Sequence, residues 1–297
     1  KNIKPTKKAL KIAQKYDLDI NKLGLKGIIK EQDLLRFINI EKESNHIDKC
    51  LKIENNKFNK FLLDDVDFRY LSSKEKIKLY KENGYKIGRN VSILDGAVLI
   101  GNSIEIKDNV KIGKGTYIES PEIKIGSNTS IGNNCELVAS KICIGDYNNF
   151  SNKVYVDISG GRFPDSNFIT GKGCLIAYEA YINVCRQVKL GNNVALSPKS
   201  MIFTHSYWQS VLDGYSSNFG QVTIDDNSWL GSMAQILPDI SVGTGSIIIS
   251  NSLVSTNVKP FTMVGGVPAK QIKENLKKKL SKNDKENIIK KLFVELG

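Results

Sequence analysis

Between Ile224 and Lys270, aliphatic residues recur at strict six-residue intervals: Ile224, Leu230, Ile236, Val242, Ile248 and Val254. The spacing is neither the 3.6 of an amphipathic helix nor the 2 of a half-buried strand. Small or acidic residues follow most of these positions (Asp225, Gly231, Gly243), and small side chains stand between them (Ser228, Ala234, Ser246). A chain that turns a corner every six residues, with one aliphatic side chain pointing inward each time, winds into a triangular prism whose sides are short parallel strands. A second regularity governs the earlier coils. Ile87, Ile106, Ile125 and Ile144 are each 19 residues apart, so a coil is three hexads plus one residue. Its corners recur at Ile93 and Leu99, Ile112 and Ile118, Ile131 and Leu137, and Phe150 and Val156. Asn109, Asn128, Asn133, Asn134, Asn148 and Asn149 fill the positions between, as tight turns with left-handed backbone angles require.

The hexads break twice. Residues 157–169 interrupt them before Ile176 and Ile182 resume, and residues 206–221 leave the prism immediately after His205. Loops that leave a solenoid on one side are where a site is expected. The second break carries Tyr207, Trp208, Tyr215 and Phe219, which suit a sugar-sized acceptor, a neighbouring subunit or loop packing. From Pro260 to Lys270, glycines and prolines end the prism and let a helix leave it.

The flanks read as helical. Lys7 to Tyr16 carries Leu10, Ile12 and Ala13, and Glu31 to Ile38 carries Leu34, Leu35 and Ile38, around a glycine-containing loop. Glu41 to Lys60 is a polar linker or weak helix. Phe61 to Gly84 is helical, with a capping region at Ser72-Ser73-Lys74-Glu75 and Ile77, Leu79 and Tyr80 as apolar members. Leu276 to Leu296 is a lysine-rich helix whose Leu280, Ile288, Ile289, Leu292 and Phe293 pack on the prism or seek an interface. The expected organisation is mainly β: residues 1–40 a small helical domain, 41–85 linker and helix, 86–270 the prism, 271–297 a C-terminal helix.

Charge follows the same division. Residues 1–60 hold 15 Lys/Arg against 8 Asp/Glu, residues 61–269 hold 19 of each, and residues 270–297 hold 9 against 4. The net +12 is thus a property of the appendages. Nucleic acid is disfavoured as a partner, since no recognition motif or aromatic interleaving accompanies the lysines. Five cysteines (Cys50, Cys135, Cys143, Cys174, Cys185) include no Cys-x-x-Cys pair, which argues for a reducing compartment and against a disulfide framework or zinc site. No run approaches the ~20 apolar residues of a membrane span, and no signal peptide is visible. The expected location is the cytoplasm, with the inner face of the membrane as a variant. The start at Lys1 reads as trimmed.

Trp229-Leu230-Gly231-Ser232, Ile236-Leu237-Pro238, Val242-Gly243 and Val264-Gly265-Gly266-Val267-Pro268-Ala269-Lys270 resemble the hexapeptide-repeat acyltransferases, especially the acetyl-CoA-dependent sugar and xenobiotic O-acetyltransferases. The resemblance covers residues 87 to 273. It implies a left-handed parallel β-helix, a homotrimer with sites between chains, and acetyl-CoA as co-substrate without a metal. It places Ser232, Ser250 and Ser255 along the pantetheine groove, Lys270 and Lys273 near the coenzyme phosphates, and Trp229 beside the site. Lysines stand where the family often has arginines, which leaves point charges in place of bidentate contacts. A second, partial resemblance links residues 4–38 to the peripheral subunit-binding domain of 2-oxo-acid dehydrogenase acyltransferases. It implies docking to a protein partner, although Ile28 replaces the arginine after that family's loop glycines.

The chain has two histidines. His46 lies in the polar linker; His205 lies where a coil ends and a loop peels off. Acetyl transfer to a hydroxyl or amine needs one base near neutrality, a role suited to histidine. In the resembling family the base is a histidine 24 residues before the Trp of Trp-x-Gly-Ser, and 24 residues separate His205 from Trp229. The prism is shared with gamma-type carbonic anhydrases, which need three histidine ligands per zinc; two per chain do not supply them. Asn183, in the preceding coil, matches an asparagine the family uses near acceptor and thioester. The expected mechanism is direct transfer in a ternary complex. His205 is the base, oriented through its other ring nitrogen by a carbonyl or carboxylate, and backbone N–H groups hold the oxyanion. The expected acceptor is a hydroxyl of a sugar or surface-polysaccharide precursor. The alternatives are an amino group of a nucleotide-linked amino sugar, an antibiotic, or an assembly module that docks through the N-terminal helices.

Overall fold

The computed structural model describes residues 3–15, 20, 27–29, 34, 53, 57–64, 67–206, 210–276 and 281–295. The chain divides into two compact units, residues 1–52 and residues 53–297.

In the first unit a helix spans Lys7–Lys15. Its inward face is Ala9 and Ala13, one turn apart and both buried, while Leu10 is half exposed. Of the expected apolar side, Leu10, Ile12 and Ala13, Ala13 faces inward with Ala9 as an i, i+4 pair, Leu10 does not, and the side chain of Ile12 lies outside what is described. Residues expected in the loop form a strand, Gly27–Ile29, which pairs in parallel with Ile3–Pro5. Apart from Leu34, which is buried, the expected helix from Glu31 to Ile38 lies outside the described residues.

The second unit is the parallel β-helix, a solenoid of about nine turns. Two of its flat sides are eight-stranded sheets and the third is ten-stranded. The 19-residue period is the register itself: Ile87 pairs with Ile106, Ile106 with Ile125, and Ile125 with Ile144. Ile93, Leu99, Ile112, Ile118 and Ile131, and later Ile224, Leu230, Ile236, Val242, Ile248 and Val254, form one continuous buried column. Each aliphatic contributes roughly 1.5–3 kcal/mol by leaving water, and no coil buries its own face without the next.

Two corner rules explain the polar hexad positions. After the aliphatic residue the coils come into backbone contact, so a Cβ on Gly231 would stand 2.5 Å from Ser250 N. Where that position or the next is acidic, the carboxylate caps the neighbouring coil: Asp108, Asp146 and Asp226 accept the N–H of Arg89, Ser127 and Asn192 at 2.8, 2.9 and 2.7 Å. Further along the corner one residue takes a positive φ. Asn90, Asn109 and Asn128 do so in successive coils, and their side-chain amides form a ladder with 3.0 Å steps.

Helices at Lys57–Asp64, Asp67–Tyr70 and Ser73–Glu82 close the first coil. Ser72 and Glu75 form the expected capping box. Phe58, Phe68, Tyr80 and Tyr85 pack edge-on or tilted over the prism's open end. The buried member beside them is a charge, Lys76, fully buried and donating to the carbonyls of Arg69, Leu94 and Ala97 at 2.8, 2.9 and 3.1 Å. Tyr80 Oη both donates to Leu99 O and accepts from Leu99 N–H, and Tyr85 Oη donates to Gly101 O.

At the other end the chain leaves as a β-hairpin, with Met263–Gly266 antiparallel to Ala269–Lys273, and not directly as a helix. Gly266, at φ +98°, makes the reversal possible. The C-terminal helix runs from Lys282 to Glu295 and is capped by Ser281, whose hydroxyl accepts from Asp284 N–H.

Candidate active site

Asp157, Asn183 and Phe203 occupy equivalent corners in successive coils, because Tyr155–Asp157 pairs with Tyr181–Asn183, which pairs in turn with Met201–Ile202. Both hexad breaks leave the prism at this corner. His205–Ser206 departs as a strand antiparallel to Asn218–Phe219, and residues 158–166 loop out directly beneath.

Asn183 is fully buried, and its amide joins these pieces. Its Nδ2 donates to Ser159 O at 2.7 Å and to Asp157 Oδ1 at 3.1 Å. Its Oδ1 accepts the Thr204 hydroxyl at 2.7 Å and lies 2.9 Å from His205 Nδ1. A flipped amide would set its NH2 against the backbone N–H groups of Thr204 and Cys185 and its oxygen against Ser159 O, so the orientation is fixed by partners of unambiguous role. An oxygen at Nδ1 makes that nitrogen the N–H donor. The neutral imidazole then carries its lone pair on Nε2, the form a general base requires.

The carboxylate behind Asn183 is Asp157. It also accepts Ser159 N–H at 2.8 Å, and the Tyr181 pKa is pushed up to about 12 by burial and then by this carboxylate. Burial holds the His205 pKa below the ordinary histidine value, with Asp157 pulling the other way. Gly160, at φ +97°, covers the ring: a Cβ there would lie 2.6, 2.6 and 2.7 Å from Cε1, Nε2 and Cδ2. Three nearly equal distances place that point over the ring face and not off its edge, so the in-plane direction of the Nε2 lone pair is a different one. Phe219 stacks on the imidazole with centroids 6.1 Å apart and planes 25° apart.

The expected orienting group for His205 is thus the Asn183 side-chain carbonyl. Asn183, expected near acceptor and thioester, is buried and contacts the imidazole directly. Asp157, Gly160 and Thr204 join the site without having been expected there. Asp157 carries a signal in the sequence as the residue that opens the first hexad break, and Thr204 as the immediate neighbour of His205. Of the second break's aromatics, Phe219 joins the site, Tyr215 is exposed, and Tyr207 and Trp208 lie outside the described residues. His46 does too.

The residues expected to hold coenzyme fall in two places. Trp229, half exposed, lies on the ten-stranded sheet and donates through Nε1 to Ser197 Oγ at 2.7 Å. Ser232 and Ser250 stack one coil apart at that sheet's corner, as the Leu230–Ile248 pairing requires. Lys270 and Lys273 are exposed at its end, on the closing hairpin. Ser255 stands elsewhere, at the corner that carries Phe203 two coils earlier. One flat side of the prism therefore separates the base and Ser255 from the other five. The described residues include no cluster of three metal-ligating side chains and no helix long and apolar enough to cross a membrane.

No family model matches the chain. It is similar to the chloramphenicol acetyltransferase of Morganella morganii, 43% identical over 67 residues, which are 23% of this chain and 31% of that protein. It is also similar to the galactoside O-acetyltransferase of Escherichia coli K12, 28% identical over 89 residues, 29% of this chain and 44% of that protein. The chain spans less than half the length of these relatives. Among solved structures, the polySia-specific acetyltransferase NeuO aligns with a TM-score of 0.40 at 18% identity, covering 67% of this chain and 84% of that one.

Proposed function

We propose that the protein is an acyltransferase that moves an acetyl group from acetyl-CoA to a hydroxyl of a sugar or surface-polysaccharide precursor, with His205 Nε2 as general base. The observation that carries the reading is the Asn183 Oδ1 to His205 Nδ1 contact of 2.9 Å, which fixes the tautomer. His205 takes the hydroxyl proton as the oxygen attacks, and Asn183, held by Asp157 and Ser159, keeps the ring in place as it becomes charged. Acetyl-CoA supplies the activated acetyl group. Trp229, Ser232 and Ser250 line its path, and Lys270 and Lys273 face its phosphates, where exposed ammonium groups suit multiply charged anions. The buried thiols take no part: burial raises the pKa of Cys135 and Cys174, and pushes Cys185 up to about 11, so none offers a ready nucleophile.

The distance of one flat side between base and coenzyme residues supports a homotrimer in which one chain's base meets a neighbour's coenzyme face. A second reading, acetylation of an amino group, is favoured by Asp157, the acidic residue that is absent beside His205 in sequence and that the fold brings behind it through Asn183. Thiol release from acetyl-CoA by the wild type and His205→Ala, against sugars, nucleotide-linked amino sugars and chloramphenicol, tests both. Turnover abolished in the variant supports the reading, and the acceptor chosen separates oxygen from nitrogen. Absence of coenzyme binding by the wild type refutes it.

A further inference from the structure

Besides the Asn183 hydrogen bonds, the two excursions from the prism are joined by Arg186 and by a direct contact between their phenylalanines. Arg186 sits on the corner just after Asn183, and its backbone N–H donates to Thr204 Oγ1 at 3.0 Å. Its guanidinium carbon lies 4.0 Å from the centre of the Phe163 ring, on the first excursion, and 5.6 Å from that of Phe219, on the second. The two rings also meet each other edge to face, centroids 6.1 Å apart. Nη1 pairs with Asp165 Oδ1 at 3.0 Å. The first excursion is itself anchored to the prism by Arg162 on Glu119 and by the Ser140 hydroxyl on Phe163 O. Phe163 is therefore a fixed post, Arg186 is held against it, and Phe219 is held against both. The far side of this chain of contacts is the imidazole.

We infer that Arg186 is a positioning residue for His205, acting through Phe219: its guanidinium, over the face of Phe163 and beside Phe219, sets how closely the second excursion lies on the base. The inference rests on the proposed acetyl transfer for its catalytic meaning, but the contact it describes has a readout of its own. A planar cation over an aromatic face is held both by the ring's negative charge and by stacking, and an ammonium provides only the first. Without it, Phe219 keeps its edge contact with Phe163 but loses the guanidinium beside it, and water reaches more of the imidazole face that Phe219 covers. Among the described residues, the titratable and charged groups linked to this site are Asp157 and Tyr181 on the strands beneath His205, and Arg186 with Asp165 beyond Phe219.

The test uses the full chain with carbon-13-labelled histidine. With only two histidines, His205→Gln assigns the ring signals, and a pH titration follows His205 directly in the wild type, Arg186→Gln, Arg186→Lys and Phe219→Leu. The His205 midpoint of the wild type lies below 6.5 and rises in Arg186→Gln. Arg186→Lys restores it only partly, and Arg186→Gln combined with Phe219→Leu moves it no further than the larger single change, because both act through one contact. In turnover, Arg186→Gln lowers kcat on the order of tenfold with the KM for acetyl-CoA unchanged, the scale of a base loosened but not removed. An unchanged midpoint in Arg186→Gln overturns the inference. So does full recovery in Arg186→Lys, which would make charge and not stacking the cause, or strict additivity with Phe219→Leu. A wild type that binds no coenzyme while the titration behaves as described refutes the acyltransferase reading and leaves the positioning contact standing.

Discussion

Gly160→Ala is the sharpest perturbation of the base that leaves every hydrogen-bonding group in place. The new Cβ would stand 2.6 Å from the imidazole, where ordinary contact begins at 3.4 Å, so the ring must retreat by about 0.8 Å. It cannot do so without stretching or breaking the 2.9 Å bond to Asn183. Misplacement on the order of 1 Å costs about 100-fold in rate, and kcat/KM is expected to fall by about that factor. The backbone adds its own cost, since alanine at φ +97° carries strain of roughly 1–3 kcal/mol. Gly84→Ala separates the two effects: Gly84 has φ +86°, and a methyl group there would meet nothing within 4 Å, so it supplies the strain without the contact. Initial rates of thiol release and thermal melts of both variants make the comparison. A loss of stability in both variants, larger in Gly160→Ala by the cost of the contact, with a rate loss confined to Gly160→Ala, is expected. A folded Gly160→Ala protein within about threefold of wild-type kcat/KM would refute the claim that ring placement limits the reaction.

Other consequences are independent of that contact. Because burial lowers the His205 pKa, the acid limb of kcat/KM lies below 6.5, and Asp157→Asn, which removes the opposing carboxylate, moves it lower still; an upward shift in the pH profile contradicts the assigned environment. The same lowered pKa ties His205 to stability: its contribution is complete above the unfolded value near 6.5 and is lost as pH falls through the folded value, which denaturant titration of wild type and His205→Gln reads as a smaller acid-side loss in the variant. Lys76→Met removes three bonds from a buried cation, and even after the relief of its desolvation the loss is about 2 kcal/mol by urea unfolding; a stabilised variant would show that the carbonyls do not need the charge. Cys135, Cys174 and Cys185, buried with raised pKa values, react with a chromogenic disulfide only on unfolding, and prompt labelling of any of them in the native protein counts against the packing.

The prism is legible in the sequence because its period is a direct image of its geometry: one inward aliphatic per corner leaves a mark every six residues, and Ile87, Ile106 and Ile125 sit where the count puts them. His205 is legible for another reason, scarcity together with position at a break. Its support is not. Asn183 and Asp157 are 26 residues apart in the chain and meet only because the coil between them is lengthened by the first excursion. Gly160 announces nothing in sequence, since its role is an absence of side chain beside a ring 45 positions away. Lys76 is hidden in the same way: helical periodicity assigns a lysine to water, and the carbonyls of Leu94 and Ala97 in the first coil, lacking a preceding coil to pair with, together with Arg69 O, make a buried ammonium favourable there.

Those carbonyls bear on how the molecule behaves in a crowded solution. A solenoid cut at any coil presents a full triangular rim of backbone donors and acceptors, and such a rim is a template on which another copy can continue the winding. Here the leading rim is quenched group by group: Ile93 N–H by the Ser73 hydroxyl, Gly96 N–H by Arg69 O, Leu94 O and Ala97 O by Lys76, Leu99 by Tyr80 and Gly101 O by Tyr85. On the ten-stranded side the trailing rim ends in a strand that runs the wrong way for a further coil. The same sequence that makes a self-propagating surface in its middle thus carries a stopper at each end, and the length of the prism is set by those stoppers and not by the repeat.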